Sequence, residues 1–204
     1  MLIEFTPSPT RDRDSRPQTL REFRKRFVEP LGAPRKKVSL EGARIVISMN
    51  APGALSLVPT ALEIASGTLN ELTLEEIAKD RTLGLWIGDL EPQSLSLSLR
   101  RVGPPIRLLS GFRFEPPKYR RGHIPPLDEG ASISVYVDSI SSGPGIVRIK
   151  ANGAALVGFA QHLAYISNPE APSDAQILWA TESVGRFRGR PLVFRRAEFH
   201  LRDS

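Results

Sequence analysis

The sequence predicts an α+β protein made of two pseudo-repeated ββαββ lobes, each with an antiparallel sheet and a helix packed on one face. The first observation behind this is a repeat. The segments IVISMNAPGALSLVPTALEIAS (Ile45 to Ser66) and IVRIKANGAALVGFAQHLAYIS (Ile146 to Ser167) run in step at an offset of 101. The second is a change of period within both copies. A β-branched run breaks at a turn-prone stretch, Asn50 to Gly53 or Ala151 to Gly153, and apolar residues at helical spacing follow. The stripe is Leu55, Val58, Leu62, Ala65 in one copy and Leu156, Phe159, Leu163, Ile166 in the other, at i, i+3, i+7, i+10 in both. The third is that each helix has two turn-linked strands before it and two after it, which favours antiparallel neighbours.

Residues 1–37 read as a basic amino-terminal arm, with ten Lys and Arg against five Asp and Glu, or +5; the other 167 residues hold 18 against 17, or +1. Pro7, Pro9 and Pro17 disfavour regular structure up to residue 17. Leu20, Phe23 and Phe27 then predict a short amphipathic helix over Gln18 to Glu29, closed by Pro30 and Gly32. The first lobe, 38–102, has strands at Val38 to Leu40 and Arg44 to Met49 and a helix from about Gly53 to Ser66. Thr73 and Glu76, at capping-box spacing, suggest one or two more helical turns. Strands at Leu83 to Ile87 and Ser94 to Val102 complete the lobe, and the alternation in SLSLSLRRV predicts buried leucines and a wet serine face.

Residues 103–130 belong to neither copy: an inter-lobe strand in IRLLSGFRFE, then a proline-bounded loop. The second lobe, 131–204, repeats the order with strands at Ser132 to Ser139, Ile146 to Lys150, Gln176 to Ala180 and Leu192 to Leu201. Trp86 aligns with Trp179 at an offset of 93, as core anchors of their lobes, and Arg100-Arg101 with Arg195-Arg196 at an offset of 95.

The absence of cysteine excludes disulfides and thiolate metal sites, and no apolar run approaches the ~18 residues of a membrane span. The amino-terminal text lacks the basic head and apolar middle of a signal peptide, so the expectation is a soluble cytoplasmic protein. Histidines stand only at His123, His162 and His200, in no metal-ligand spacing, and no phosphate-loop or nucleophile-elbow string occurs. The expectation is therefore no catalytic residue, metal or cofactor. An enzyme would have to use His123 with Asp128 or Glu129. His162, aligned with Ala61, reads as a boundary residue beside the helix stripe, and His200 as a strand residue facing solvent or pairing across the sheet.

Binding has more support. The inter-lobe loop gathers Lys118, Tyr119, Arg120, Arg121 and His123, cations beside an aromatic. In GRFRGR, Arg186, Arg188 and Arg190 alternate around Phe187 and, on a hairpin loop, would present three guanidiniums to carboxylates or phosphates. The arm offers Arg21, Arg24, Lys25, Arg26, Arg35, Lys36 and Lys37 to nucleic acid.

The text IVRIKANGAALVGFAQHLAYISNPEAPSDAQILWATES followed by PLVFRRAEF resembles a short bacterial immunity-protein family of polymorphic toxin systems, the one numbered thirty-two. The matching positions are Gly153, Leu156, Phe159, His162, Leu163, Ile166 and the strand Leu192 to Arg196, and the resemblance covers roughly residues 131–200. It implies a non-enzymatic protein that neutralises a toxin by covering its surface, with no cofactor; the arginine loops would meet an acidic protein partner. The alternative is a nucleic-acid-binding accessory protein using the basic arm and the arginine loops.

Overall fold

The computed structural model describes residues 3–4, 25, 28–73, 85–86, 95–106, 113–114, 124, 126–138, 145–180 and 186–198. A hairpin of β2 (Arg35–Glu41) and β3 (Arg44–Met49) runs into Asn50, which caps helix α1 (Ala51–Ser66). The Asn50 side-chain oxygen accepts from the Gly53 and Arg35 amides, both at 2.8 Å, and its Nδ2 donates to the Ala33 carbonyl. One side chain thus caps the helix and ties down the start of the hairpin. The same arrangement recurs at Asn152, between the hairpin of β8 (Ser132–Asp138) and β9 (Ile146–Ala151) and helix α2 (Gly153–Ser167): its oxygen accepts from Ala155 and Ser132, and its Nδ2 donates to Gly130.

These two caps lie 102 residues apart, so the offset of 101 is one residue out in the strand-to-helix unit. Ile45, Ile47 and Met49 are buried on β3, and Val147, Ile149 and Ala151 on β9. An offset of 101 would set inward Ile47 against outward Arg148, and a one-residue slip turns every strand side chain to the wrong face.

The other strands of the two five-stranded sheets are β4 (Glu71–Thr73), β5 (Leu85–Trp86), β6 (Ser96–Arg101), β10 (Gln176–Trp179), β11 (Arg186–Gly189) and β12 (Leu192–Arg196). The first sheet has the order β10-β12-β3-β2-β5 and the second β11-β8-β9-β6-β4. Exchanging β2 with β8, β3 with β9, β4 with β10, β5 with β11 and β6 with β12 converts one order into the other, relative directions included. Strand β12 lies parallel to β3, and β6 parallel to β9. The fold is α+β as expected, but its sheets are mixed and not antiparallel, and each takes strands from both segments, so neither lobe closes on its own. The reason is connectivity. Each helix carries the chain away from its own hairpin, and β6 and β12 then add to the hairpin of the other copy; parallel neighbours need such long connections.

The helices pack side by side and against both sheets, forming the middle of three layers. Both are apolar nearly all round, as a central layer requires. Pro52 falls in the first turn of α1, where its missing N–H costs nothing, whereas Pro59 gives up one internal bond in a helix whose burial on all sides offsets the loss. Arg101 and Arg196 take matching places in the two sheets, and each secures a helix end: Arg101 Nε donates to the Ile64 carbonyl at 3.0 Å, and Arg196 Nη1 donates to the Asn168 and Ala171 carbonyls at 2.5 and 2.8 Å. Burial pushes the Arg196 guanidinium below its ordinary value.

Several expectations are corrected. Thr73 ends strand β4, and the helical turns expected after it, with Glu76, lie outside the described residues. Ser96 and Ser98 are buried, not wet, because their short side chains sit among the longer ones of β4 and β9. Trp86, on β5 beside β2, is the topological counterpart of Phe187 on β11, whereas Trp179 lies on β10, the counterpart of β4; the two tryptophans are not equivalent. His162 is a core residue, 3% exposed, whose Nδ1 accepts from Trp179 Nε1 at 2.7 Å. Arg35, Lys36 and Lys37 belong to β2 and not to an arm. The arm itself begins with a paired strand despite its prolines, since β1 (Ile3–Glu4) lies antiparallel to β7 (Arg113–Phe114). The helix expected over residues 18–29 and His200 lie outside the described residues, apart from residues 25, 28 and 29.

Candidate functional site

On the second sheet, strand alternation turns Phe187, Ile133, Val135, Val147, Ile149, Leu97 and Leu99 towards the helices, all buried. The alternate residues form the outer face. Cross-strand register places Arg188, Ser134, Lys150, Arg100 and Glu71 side by side at one level, and Tyr136, Arg148, Ser98 and Thr73 at the next. Neighbouring strands are about 4.8 Å apart, so Arg100 and Lys150 rise close together. A cavity of about 190 Å³ opens here, lined by Glu71, Ser98, Arg100, Tyr136, Arg148 and Lys150 along with Ile149.

Its polar groups are ordered by one another. Ser98 Oγ donates to Glu71 Oε1 at 2.5 Å. Arg148 Nε donates to Asp138 Oδ2 at 2.5 Å, and that hydrogen bond, followed by the Asp138 charge, raises the guanidinium further above its usual range despite some burial. Lys150 Nζ stands 5.1 Å from the Tyr136 ring centroid, a cation–π distance. Among the described residues neither Arg100 nor Lys150 forms an ion pair, so the charge that the cavity offers to solvent comes from these two.

The corresponding place on the first sheet is closed. Arg195, the counterpart of Arg100, makes a two-pronged ion pair with Glu41, Nη1 to Oε1 at 2.9 Å and Nη2 to Oε2 at 2.8 Å. To reach Glu41 from β12 it crosses β3 above Val46, which is 1% exposed although it points outwards. Ser48 stands in the place of Lys150, Ser39 in that of Tyr136 and Gln176 in that of Glu71.

Of the residues expected to bind, Arg186 and Arg188 are exposed on the outer face of the second sheet. They lie on edge strand β11, parallel to β8, and not on a hairpin loop, with Phe187 anchoring the strand in the core. Arg190 follows that strand, exposed, its amide donating to the Val135 carbonyl at 3.1 Å. Lys25 is exposed. Arg35 and Lys37 are half-buried on β2, and Lys36 is turned inwards and 1% exposed. Lys118, Tyr119, Arg120, Arg121 and His123, and Arg21, Arg24 and Arg26, lie outside the described residues. Asp128, considered as a partner for His123, accepts from the Gly130 amide at 2.7 Å in a local turn, and Glu129 is exposed beside it.

Sequence reasoning missed Arg100, Lys150, Glu71, Ser98 and Tyr136. The signal was the outward alternation of Arg148 and Lys150 on β9, but their neighbours are set by pairing with β6 and β4, about fifty or more residues earlier. Among the described residues no group of three or more His, Asp or Glu could hold a metal, and no helix is long and apolar enough to cross a membrane. No family model matches the chain, and no curated protein or solved structure matches it either.

Proposed function

We propose that this chain is a non-enzymatic binding protein that holds an acidic protein partner against the outer face of its second sheet. The observation that carries this is the contrast in charge between the two sheets. At matched positions the first sheet neutralises its arginine internally, whereas the second leaves Arg100 and Lys150 facing solvent, on the same face as Arg186 and Arg188. Such a face steers an acidic partner and rejects a basic one. Neutralising a toxin by covering its surface, as an immunity protein does, is one role that such a surface would serve. We read the shared strand order as an internal duplication in which one outer face kept an internal ion pair and the other diverged.

The test is to isolate partners of the full chain from its native host and measure their affinity for a variant carrying Arg186→Gln, Arg188→Gln and Lys150→Gln. A large loss of affinity for an acidic protein is expected. Full affinity in the variant removes this face from the proposal. Binding to nucleic acid instead, with a steep salt slope abolished by deleting residues 1–34, would favour the basic arm.

A further inference from the structure

We propose that the cavity between Arg100 and Lys150 is a socket for a single carboxylate side chain of that partner, an inference that rests on the reading above and deepens it. The cavity sets the size. At about 190 Å³ it falls below the ~300 Å³ at which pockets for free small molecules begin, and it suits one inserted side chain. Its charges set the valence. Arg148 is matched by Asp138 at the rim, which leaves Arg100 and Lys150 against Glu71, a net of one positive charge. A carboxylate balances that charge. A phosphate dianion would exceed it and would lie against the Glu71 carboxylate, which Ser98 holds in place.

Orientation comes from the sheet. Arg100 is exposed and able to swing its planar fork onto two oxygens, while Lys150, half-buried and set against Tyr136, supplies a nearly fixed point charge one strand away. Glu71 then acts as the specificity-determining residue: it admits a monoanion and penalises a dianion.

The experiment titrates the full chain, at a pH well above neutral where inorganic phosphate is the dianion, with a hexaglutamate peptide and, separately, with inorganic phosphate at matched ionic strength. The expected result is saturable binding of the peptide, weakened about tenfold or more by Arg100→Gln and by Lys150→Gln, and no saturable binding of phosphate. Glu71→Gln keeps an acceptor for Ser98 and should create phosphate binding. Arg195→Gln, on the first sheet, removes the same charge elsewhere and should leave peptide affinity unchanged. If Arg195→Gln weakens the peptide as much as Arg100→Gln, the effect is net charge and the socket is refuted. If Arg100→Gln and Lys150→Gln bind as wild type while Arg186→Gln with Arg188→Gln does not, the socket is refuted but the acidic-partner reading survives. Phosphate binding tighter than peptide binding in the wild type overturns the carboxylate assignment, and no peptide binding at all overturns the socket.

Discussion

Thr60 and His162 occupy the same place in the two halves, each ten residues beyond the asparagine that caps its helix, and the interior treats them differently. His162 accepts from Trp179 within a cluster where the Phe159, Trp179 and Phe194 rings meet edge to face at centroid distances of 4.9 to 5.8 Å. Among the described residues the Thr60 hydroxyl has no hydrogen-bond partner, and it borders a void of about 10 Å³ among Leu57, Ala61, Leu72, Leu97, Leu99 and Phe159. Where one half has Phe194 the other has Leu99, and where one has Ile177 the other has Leu72. The lesson is that an identical frame of caps and strand order does not oblige identical packing: the aromatic side fills its volume and satisfies its polar atom, and the aliphatic side does neither.

The comparison breaks most severely at the edge of the second sheet. Gly189 has φ +102°, and a Cβ there would come within 1.8 Å of the Val135 carbonyl oxygen. Backbone cannot move aside as a side chain can, so Gly189→Ala should lose on the order of 3 kcal/mol and release β11 with Arg186 and Arg188. Urea unfolding reads the first effect and amide exchange at Phe187 the second. Intact protection of β11 in the variant would show that its seat on β8 does not depend on this glycine.

Next in size is Trp179→Phe, which keeps an aromatic ring but removes the indole N–H that donates to His162 Nδ1. A buried acceptor deprived of its donor costs about 1–3 kcal/mol, so the midpoint in urea should fall accordingly. An unchanged midpoint would mean that the polar pair does not distinguish this half from the other.

How much of this was legible in the sequence follows from the range of each signal. The caps Asn50 and Asn152, the helices and the hairpins are local, and the residues that make them are neighbours in the chain. Strand exchange between the halves is not local: β12 pairs with β3 across 147 residues, and nothing in either strand's alternation names its neighbour. The tryptophan alignment misled because it matched residue type rather than place; Trp86-Ile87-Gly88 against Phe187-Arg188-Gly189, at an offset of 101, was the better guide. The socket was invisible for the same reason as the exchange, since Glu71, Arg100 and Lys150 meet only once three strands are paired.

The aliphatic half can be improved. Thr60→Val keeps the shape of the side chain and removes a hydroxyl that has no partner, so it should stabilise the fold by about 1 kcal/mol, read as a higher urea midpoint with an unchanged slope. A loss of stability would show that the hydroxyl is served by something in the void, and the contrast with His162 would narrow to one of side-chain size.

The smallest effect concerns the outer faces. Glu41 is held below the usual carboxylate range, first by the hydrogen bond from Arg195 and, after a partial offset from burial, by its charge. A carboxyl whose folded value is depressed contributes stability above its unfolded value, near pH 4, and loses it as pH falls through the lower folded value. Glu41→Gln should therefore reduce stability at pH 7 by well under about 1 kcal/mol, because both partners are more than a third exposed, and should flatten the decline below pH 4. The same change frees Arg195 on the first sheet and uncovers Val46, giving that face an arginine without an ion pair among the described residues, as the second sheet has in Arg100. If the variant's acid unfolding profile matches the wild type, the clamp is not what silences Arg195, and the charge contrast between the sheets must come from Lys150 against Ser48 alone.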